Sequence, residues 1–269
     1  MHSLSLLPMQ LNYKNIDVYY EDHGQGDVVV LIHGFLENTS MWNHLASQVS
    51  SSYRVVSIDL LGHGKTGNLG YIHTMQEMAE SVLYILEHLQ IKSYILIGHS
   101  MGGYVALALA KINPKAVHGL CLMNSTYHSD DSERKALREK AIEAVRKNYD
   151  LVVKTSVTNL FAPESKDLYS DDIAFVINEA LKTSVQGYVA AQRGMINREN
   201  QFEFLKDLKS EKLIIIGSKD PVVDGERIIL ETVETSINCK TLPLGHMSHI
   251  ENKSENTYII LQFIENIYS

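Results

Sequence analysis

Short apolar runs alternate with longer amphipathic stretches through the first half of the chain. Residues 28–32 are uninterruptedly apolar, which is typical of a strand covered on both faces, whereas residues 16–20 alternate as a half-exposed strand does. Residues 74–89 have apolar positions at helical spacing, and Thr74 with Glu77 fits a capping box at the helix start. The pattern also predicts strands at 53–59, 94–97 and 119–124 and helices at 41–49 and 104–111.

The pattern changes after residue 127. Residues 129–208 are charged, helical in period and free of buried-strand signals, and Pro163 interrupts them. Strand patterns return afterwards, and a helical pattern closes the chain. The predicted helices of the middle segment are 134–149, 151–161 and 171–193, and the later elements are strands at 212–216 and 239–242 and a helix at 257–267.

Strands separated by helices predict an α/β fold with a mostly parallel central sheet flanked by helices. We interpret residues 128–208 as a helical lid inserted into a core made of residues 1–127 and 209–269. The alternative is an independent second domain. The lid is favoured because the sheet pattern resumes afterwards, and because roughly 80 residues without a strand suit a cover better than a separate core.

Composition narrows the class of protein. The chain has 269 residues, 45% of them hydrophobic, which is enough for one substantial core. The net charge of −8 and the lack of a basic cluster argue against nucleic-acid binding. No apolar run approaches the roughly 20 residues that span a bilayer, and residues 1–8 lack the features of a signal peptide. We therefore expect a cytoplasmic protein with Cys121 and Cys239 as buried free thiols, although a disulfide stays open.

The most specific motif is G-x-S-x-G at residues 98–102, between a predicted strand and a predicted helix. Such a sharp turn requires small residues two positions before and two after Ser100, and it exposes the serine hydroxyl at a helix N-terminus. The alternatives are a purely structural glycine-rich turn and a phosphate-binding loop. The loop is excluded because its lysine is missing. A serine hydroxyl is a weak nucleophile alone, so a base and an orienting acid are needed.

Candidates for the base and for the acid each directly follow a later strand. Functional residues of a parallel sheet lie at the carboxyl ends of its strands. Asp220 follows the strand at 212–216, and His246 follows the strand at 239–242. The chain order Ser100, Asp220, His246 is that of a nucleophile-elbow hydrolase, with the histidine as base and the aspartate orienting it. His249 is an alternative base. Asp224 is an alternative acid, although its position suits a helix cap better.

An oxyanion intermediate needs two preorganised donors. The backbone N–H of Met101 directly follows the nucleophile, and the N–H of Phe35 lies in the turn after the first buried strand, where Gly34 permits the bend. The sequence therefore predicts an oxyanion hole formed by Phe35 and Met101.

The remaining polar turn residues are expected to be structural. His33, His63 and His99 lie in three separate turns without metal-ligand spacing, so hydrogen bonding is favoured over a metal site. Asp59 is expected to organise a turn. No cofactor or metal is implied.

Together these motifs resemble the α/β-hydrolase superfamily, in its lidded serine esterase-like branch, over nearly the whole chain. The blocks that carry the resemblance are residues 33–35, 59–66, 98–103, 217–220 and 245–246. The resemblance implies that the segment 128–208 shapes the acyl and alcohol pockets. The chain departs from it at residues 251–253, where many relatives carry Glu-x-Pro and this chain has Glu-Asn-Lys; we expect this to affect only a helix start.

The resemblance implies a serine hydrolase, most simply a carboxylesterase that cleaves a small ester through an acyl-enzyme without a cofactor. A serine at position 100 argues against the dehalogenase branch, whose nucleophile is a carboxylate. Carbon–carbon bond hydrolases, enol-lactonases, cofactor-free haloperoxidases, lyases and the menaquinone-pathway synthase stay open. A hydrolase-fold receptor with slow turnover is the alternative from another functional class. The sequence does not specify an oligomeric state.

Overall fold

The computed structural model describes residues 9–269, so the expectation about residues 1–8 lies outside the described residues. Eight strands form one sheet in the order β1-β2-β4-β3-β5-β6-β7-β8. The β1–β2 and β2–β4 pairs are antiparallel, and every later pair is parallel. This confirms the predicted α/β class. The strands are β1 (Met9–Tyr13), β2 (Ile16–His23), β3 (Val28–Ile32), β4 (Arg54–Ile58), β5 (Tyr94–His99), β6 (Val117–Met123), β7 (Glu211–Gly217) and β8 (Asn238–Leu242).

Helices cover both faces of the sheet. Alternate residues of β3 belong to opposite cores: Val30 packs with α2 (Met75–His88) and α3 (Met101–Ile112), whereas Val29 packs with α1 (Asn43–Val49). A strand buried on both sides explains the uninterrupted apolar run. The predicted capping box of α2 is present, since Glu77 N donates to Thr74 Oγ1 at 3.1 Å and Thr74 N donates to Glu77 Oε2 at 2.9 Å.

Six helices lie between β6 and β7. The predicted helix at 171–193 is two helices, because Ser184 starts a new one by accepting the N–H of Gly187 at 3.0 Å. The shortest two of the six, like strand β1, were not predicted. The six are α4 (Ser132–Lys147), α5 (Tyr149–Thr158), α6 (Ser165–Leu168), α7 (Ser170–Ala180), α8 (Val185–Ile196) and α9 (Phe202–Asp207).

These helices have an apolar core of their own that reaches down to the sheet. Val145, Val153 and Tyr188 pack in one cluster with Leu36, which follows β3, and Met247, which follows β8. The segment therefore lies over the carboxyl ends of these two strands, which the predicted site residues Phe35 and His246 follow. The helices after β7 are α10 (Gly225–Thr232), α11 (Ser248–Glu251) and α12 (Lys253–Tyr268).

Both cysteines are free thiols. Cys121 is buried in β6, and Cys239 in β8 is only half-buried. Of the helices formed by residues 9–269, none combines the length and the apolar character needed to cross a membrane.

Candidate active site

Ser100 lies on a strained turn between β5 and α3. Its φ of 49° falls in a region that non-glycine residues rarely adopt. The neighbouring glycines are required by space: a Cβ on Gly98 would lie 2.4 Å from the carbonyl oxygen of Gly102, and a Cβ on Gly102 would lie 2.1 Å from that of Ile32. The steric prediction for the motif is therefore confirmed.

Asp220 and His246 form a buried pair. The Nδ1 of His246 lies 2.8 Å from Oδ2 of Asp220, whose other oxygen accepts the N–H groups of Val222 at 2.8 Å and Val223 at 3.1 Å. Burial acts to raise the pKa of Asp220, but the charge and hydrogen bond of His246 outweigh it, so that the pKa lies below its ordinary value. The carboxylate is held ionised against the imidazole.

The alternative residues have other partners. Asp224 caps α10, since its Oδ1 accepts the N–H of Arg227 at 3.0 Å. His249 is directed toward Glu37, with its Nε2 3.9 Å from Oε1 of that residue. The structure thus pairs the predicted acid with His246.

Asn124 supports this pair and was not singled out from the sequence. Its Nδ2 donates to Asp220 Oδ2 at 3.1 Å and to the carbonyl oxygen of Gly245 at 3.2 Å, so one amide holds the acid and the loop before His246. It follows β6 directly with a positive φ of 46°. Its position at the carboxyl end of a buried strand was the signal that could have found it.

Glu37 was also missed. Its Oε2 accepts the N–H of Gly34 at 2.7 Å and the Nδ1–H of His99 at 2.7 Å, while Nε2 of His99 donates to the carbonyl oxygen of His246 at 3.0 Å. Burial opposes ionisation of Glu37, but His99 lowers the pKa of Glu37 to about 2. Burial likewise opposes charge on His99, yet Glu37 raises the pKa of His99 above its ordinary value. The two form a buried ion pair beside Ser100.

The two predicted oxyanion donors lie at the ends of β3 and β5. Gly34 N donates to Glu37 and Ser100 N donates to the Met123 carbonyl oxygen at 3.0 Å. Within residues 9–269, by contrast, the N–H groups of Phe35 and Met101 have no protein acceptor. Both donors are therefore available to a ligand.

The other polar turn residues make structural contacts. His33 contacts the carbonyl oxygen of Gly34 at 2.7 Å and accepts the N–H of Leu60 at 2.9 Å. Asp59 accepts the N–H groups of Thr39 at 2.7 Å and Lys65 at 2.8 Å, as expected of a turn organiser.

One buried group has the residue types of a metal site. The ligand-capable atoms of Glu37, His99 and His249 all lie within 4.8 Å of one another. Both ring nitrogens of His99 already have hydrogen-bond partners, so one of those bonds would have to break for His99 to bind a metal.

Ser100 and His246 line one cavity of about 340 Å³. Its other walls come from the turn after β3, from the loop after β7 and from α4, α5 and α8. A larger surface cavity of about 740 Å³ beside α2 and α3 contains neither residue. The lining of the Ser100 cavity also includes Phe35, Arg134, Leu137, Arg138, Ala141, Tyr188 and Gln192.

Comparisons with known proteins agree with this fold. Residues 27–253 match a family model described as the alpha/beta hydrolase fold. The chain is 28% identical to 3-oxoadipate enol-lactonase 1 of Acinetobacter baylyi, over 99% of this chain and 98% of that protein. A thermophilic esterase from Thermogutta terrifontis superposes with a TM-score of 0.88 at 26% identity, covering 94% of this chain and 95% of that one. An enol-lactonase from Burkholderia xenovorans, at 19% identity and a TM-score of 0.87, shares the fold over 96% of this chain and 100% of that one.

Proposed function

Because the chain belongs to the α/β-hydrolase fold family, we propose that it is a serine hydrolase that cleaves a small carboxylic ester with Ser100, His246 and Asp220. The observation that carries the proposal is the buried contact of 2.8 Å between Asp220 and His246, which lines the same cavity as Ser100. A base oriented by a carboxylate, in one cavity with a half-buried serine on a strained turn, is the arrangement that nucleophilic acyl transfer needs.

The reaction proceeds in two steps. Asp220 accepts the Nδ1–H of His246, which leaves Nε2 as the base that takes the proton of Ser100 as its oxygen attacks the ester carbonyl. The N–H groups of Phe35 and Met101 donate to the oxyanion. His246 then gives the proton to the leaving alcohol, and the acyl-enzyme remains. Water, deprotonated by the same nitrogen, releases the carboxylic acid and restores Ser100.

In this proposal residues 128–208 act as the lid. Its support is the contact between the segment and the catalytic loops: His246 N donates to the carbonyl oxygen of Leu160 at 2.9 Å, and Glu251 accepts the N–H of Ala162 at 2.8 Å. The ring of Tyr188 in α8 packs edge-on to Phe35 with centroids 4.9 Å apart. The lid therefore supports both the base and the oxyanion turn.

Hydrolysis of an enol-lactone is the second candidate. It uses the same attack on an acyl carbon, but the leaving oxygen stays attached to the acyl chain. Its support is the 28% identity, over nearly the full length of both chains, to a protein named an enol-lactonase. The two candidates differ in substrate, not in the roles of the residues.

A serine-directed fluorophosphonate probe and a series of p-nitrophenyl esters test the proposal. We expect a single label on Ser100, located by peptide mass, and turnover of short-chain esters. Ser100→Ala should abolish both, whereas Ser47→Ala, on the exposed side of α1, should change neither. A label or turnover that survives in Ser100→Ala overturns the proposal. Labelling of Ser100 with release of at most one equivalent of product would instead indicate the slow-turnover receptor.

A further inference from the structure

One face of α4 forms a wall of the Ser100 cavity. The lining residues Arg134, Leu137, Arg138 and Ala141 are spaced three, four and seven positions from the first, which places them in one stripe along the helix. Two arginines thus line the cavity of a chain whose net charge is −8. Because the protein as a whole repels anions, this local positive charge needs its own explanation.

Arg138 is only partly neutralised. Its Nε lies 2.6 Å from Oδ2 of Asp130, and its Nη1 donates to Oε1 of Gln192 at 2.9 Å. The other oxygen of Asp130 lies 2.7 Å from Nη2 of Arg198. One carboxylate therefore serves two guanidinium groups, and one positive charge is left over.

Arg134 has no carboxylate partner among residues 9–269. Its Nη2 donates to the carbonyl oxygen of Val222 at 2.6 Å, which uses one of the five donors of a guanidinium. Glu37 is the one carboxylate in the described lining of the cavity, and it is already paired with His99. The half-buried Arg134 consequently has donors that nothing in the described chain satisfies.

We propose that the substrate carries, besides the bond that Ser100 attacks, a carboxylate group that Arg134 binds. The inference rests on the proposed function and specifies its substrate class. A planar guanidinium matches a carboxylate with two parallel hydrogen bonds, which a lysine cannot do. A cavity of about 340 Å³ is near the lower end for ligand sites, so the ester is a short one with its anionic group close to the scissile bond.

Two matched pairs of esters test this on each side of the scissile bond. p-Nitrophenyl hydrogen glutarate and p-nitrophenyl valerate differ by a carboxylate on the acyl side. Propyl acetate and 3-acetoxypropanoate differ by one on the alcohol side. We expect kcat/KM to be at least tenfold higher for the anionic member of one pair.

Variants of Arg134 then test whether Arg134 causes the preference for the anionic ester. Arg134→Gln, which can still donate to the Val222 carbonyl oxygen, should lower that preference about 10- to 100-fold, mainly through KM, because a charged hydrogen bond is lost. Arg134→Lys should retain an intermediate preference. Lys135 is an exposed neighbour of Arg134 on the same helix, and Lys135→Gln should leave kcat/KM for both esters unchanged.

Either of two results overturns the inference: neutral esters turned over as well as anionic ones in both pairs, or Arg134→Gln lowering both members of each pair alike. Labelling of Ser100 by the fluorophosphonate probe separates the two proposals. If Ser100 is labelled and the neutral esters are hydrolysed without any anionic preference, only the carboxylate site is wrong. If neither labelling nor hydrolysis occurs, the serine hydrolase itself is wrong.

Discussion

The imidazole of His99 donates to Glu37 Oε2 at 2.7 Å from one ring nitrogen and to the backbone carbonyl oxygen of His246 at 3.0 Å from the other. Glu37 in turn accepts the N–H of Gly34, beside the proposed oxyanion donor Phe35. A single buried ion pair thus connects the turns that carry the proposed nucleophile, the proposed base and one proposed oxyanion donor. Disrupting the Glu37–His99 ion pair should therefore displace all three turns.

Replacing Glu37 with glutamine should therefore destabilise the protein and reduce kcat. Breaking a buried ion pair typically costs about 3–5 kcal/mol, because the remaining charge has no partner. Unfolding in urea measures the loss, and p-nitrophenyl ester turnover measures the effect on kcat. Glu139→Gln, at an exposed position of α4, is the matched control. Unchanged stability in Glu37→Gln would mean that the pair is not charged in the folded protein.

The stabilisation by this pair should also depend on pH at both ends. Because the pKa of His99 is raised in the folded protein, the contribution of His99 to stability is fully present below its ordinary pKa of 6.5. That contribution is lost as the pH rises through the higher pKa of the folded state. Because the pKa of Glu37 is lowered to about 2, the contribution of Glu37 to stability is fully present above its ordinary pKa of 4.5 and is lost as the pH falls toward 2. The difference between wild type and Glu37→Gln should be largest between about pH 4.5 and 6.5. Urea midpoints at several pH values test this.

His246 and His249 should separate cleanly in activity. His246→Ala removes the proposed base and should lower kcat on the order of 10⁴-fold or more. Because it also leaves the buried carboxylate of Asp220 without its imidazole partner, it should lower the free energy of unfolding as well. His249→Ala should keep kcat within a few-fold, because His249 faces Glu37 and not Asp220. Turnover of one p-nitrophenyl ester by both variants decides the assignment. Inactivity of His249→Ala alone would contradict it.

Much of the fold was predictable because its signals are local. The apolar run of β3 and the glycines around Ser100 report burial and crowding within a few residues. Glu37 was not predictable in this way, since its partner His99 lies 62 positions away in the chain and nothing in the neighbouring sequence marks it. Asn124 has the local signal of following a buried strand, but its partner Asp220 lies 96 positions away, so the contact itself was not predictable. The split of the predicted helix at 171–193 was missed because its helical periodicity continues through the Ser184 cap.

Two buried histidines should make the protein sensitive to acid. Burial lowers the pKa of His63 to about 3 and that of His249 to about 3, so both are neutral when folded. Since an unfolded histidine takes up its proton near pH 6.5, their stabilisation is present above that value and is lost as pH falls toward 3. Each histidine adds about 1.4 kcal/mol per pH unit to the slope of the free energy of unfolding against pH in that window.

Replacing His249 with phenylalanine tests this slope. The change removes the titrating group, and it also removes a buried Nδ1 that has no hydrogen-bond partner in residues 9–269. The free energy of unfolding of His249→Phe should fall less steeply than that of wild type between about pH 6.5 and 4. His44→Gln, at an exposed site on α1, should keep the wild-type slope. Equal slopes for wild type and His249→Phe would show that His249 is not held neutral.

Gly102→Ala distinguishes helix propensity from close packing. Alanine is favoured over glycine inside a helix by about 1 kcal/mol, so propensity alone predicts a gain in stability for this position in the first turn of α3. The added Cβ, however, would lie 2.1 Å from the carbonyl oxygen of Ile32 and 2.5 Å from that of His33. Backbone atoms cannot rotate away as a side chain can, so the end of β3 must shift and carry the Phe35 N–H with it.

We expect Gly102→Ala to have a lower melting temperature. Because misplacing one oxyanion donor costs about 2.7–4 kcal/mol of transition-state stabilisation, we also expect kcat to fall about 10²- to 10³-fold. Gly70→Ala, where an added Cβ meets nothing within 4 Å, should change neither quantity. A Gly102→Ala protein that is more stable and fully active would contradict the close approach of α3 to β3 on which the proposed oxyanion hole depends.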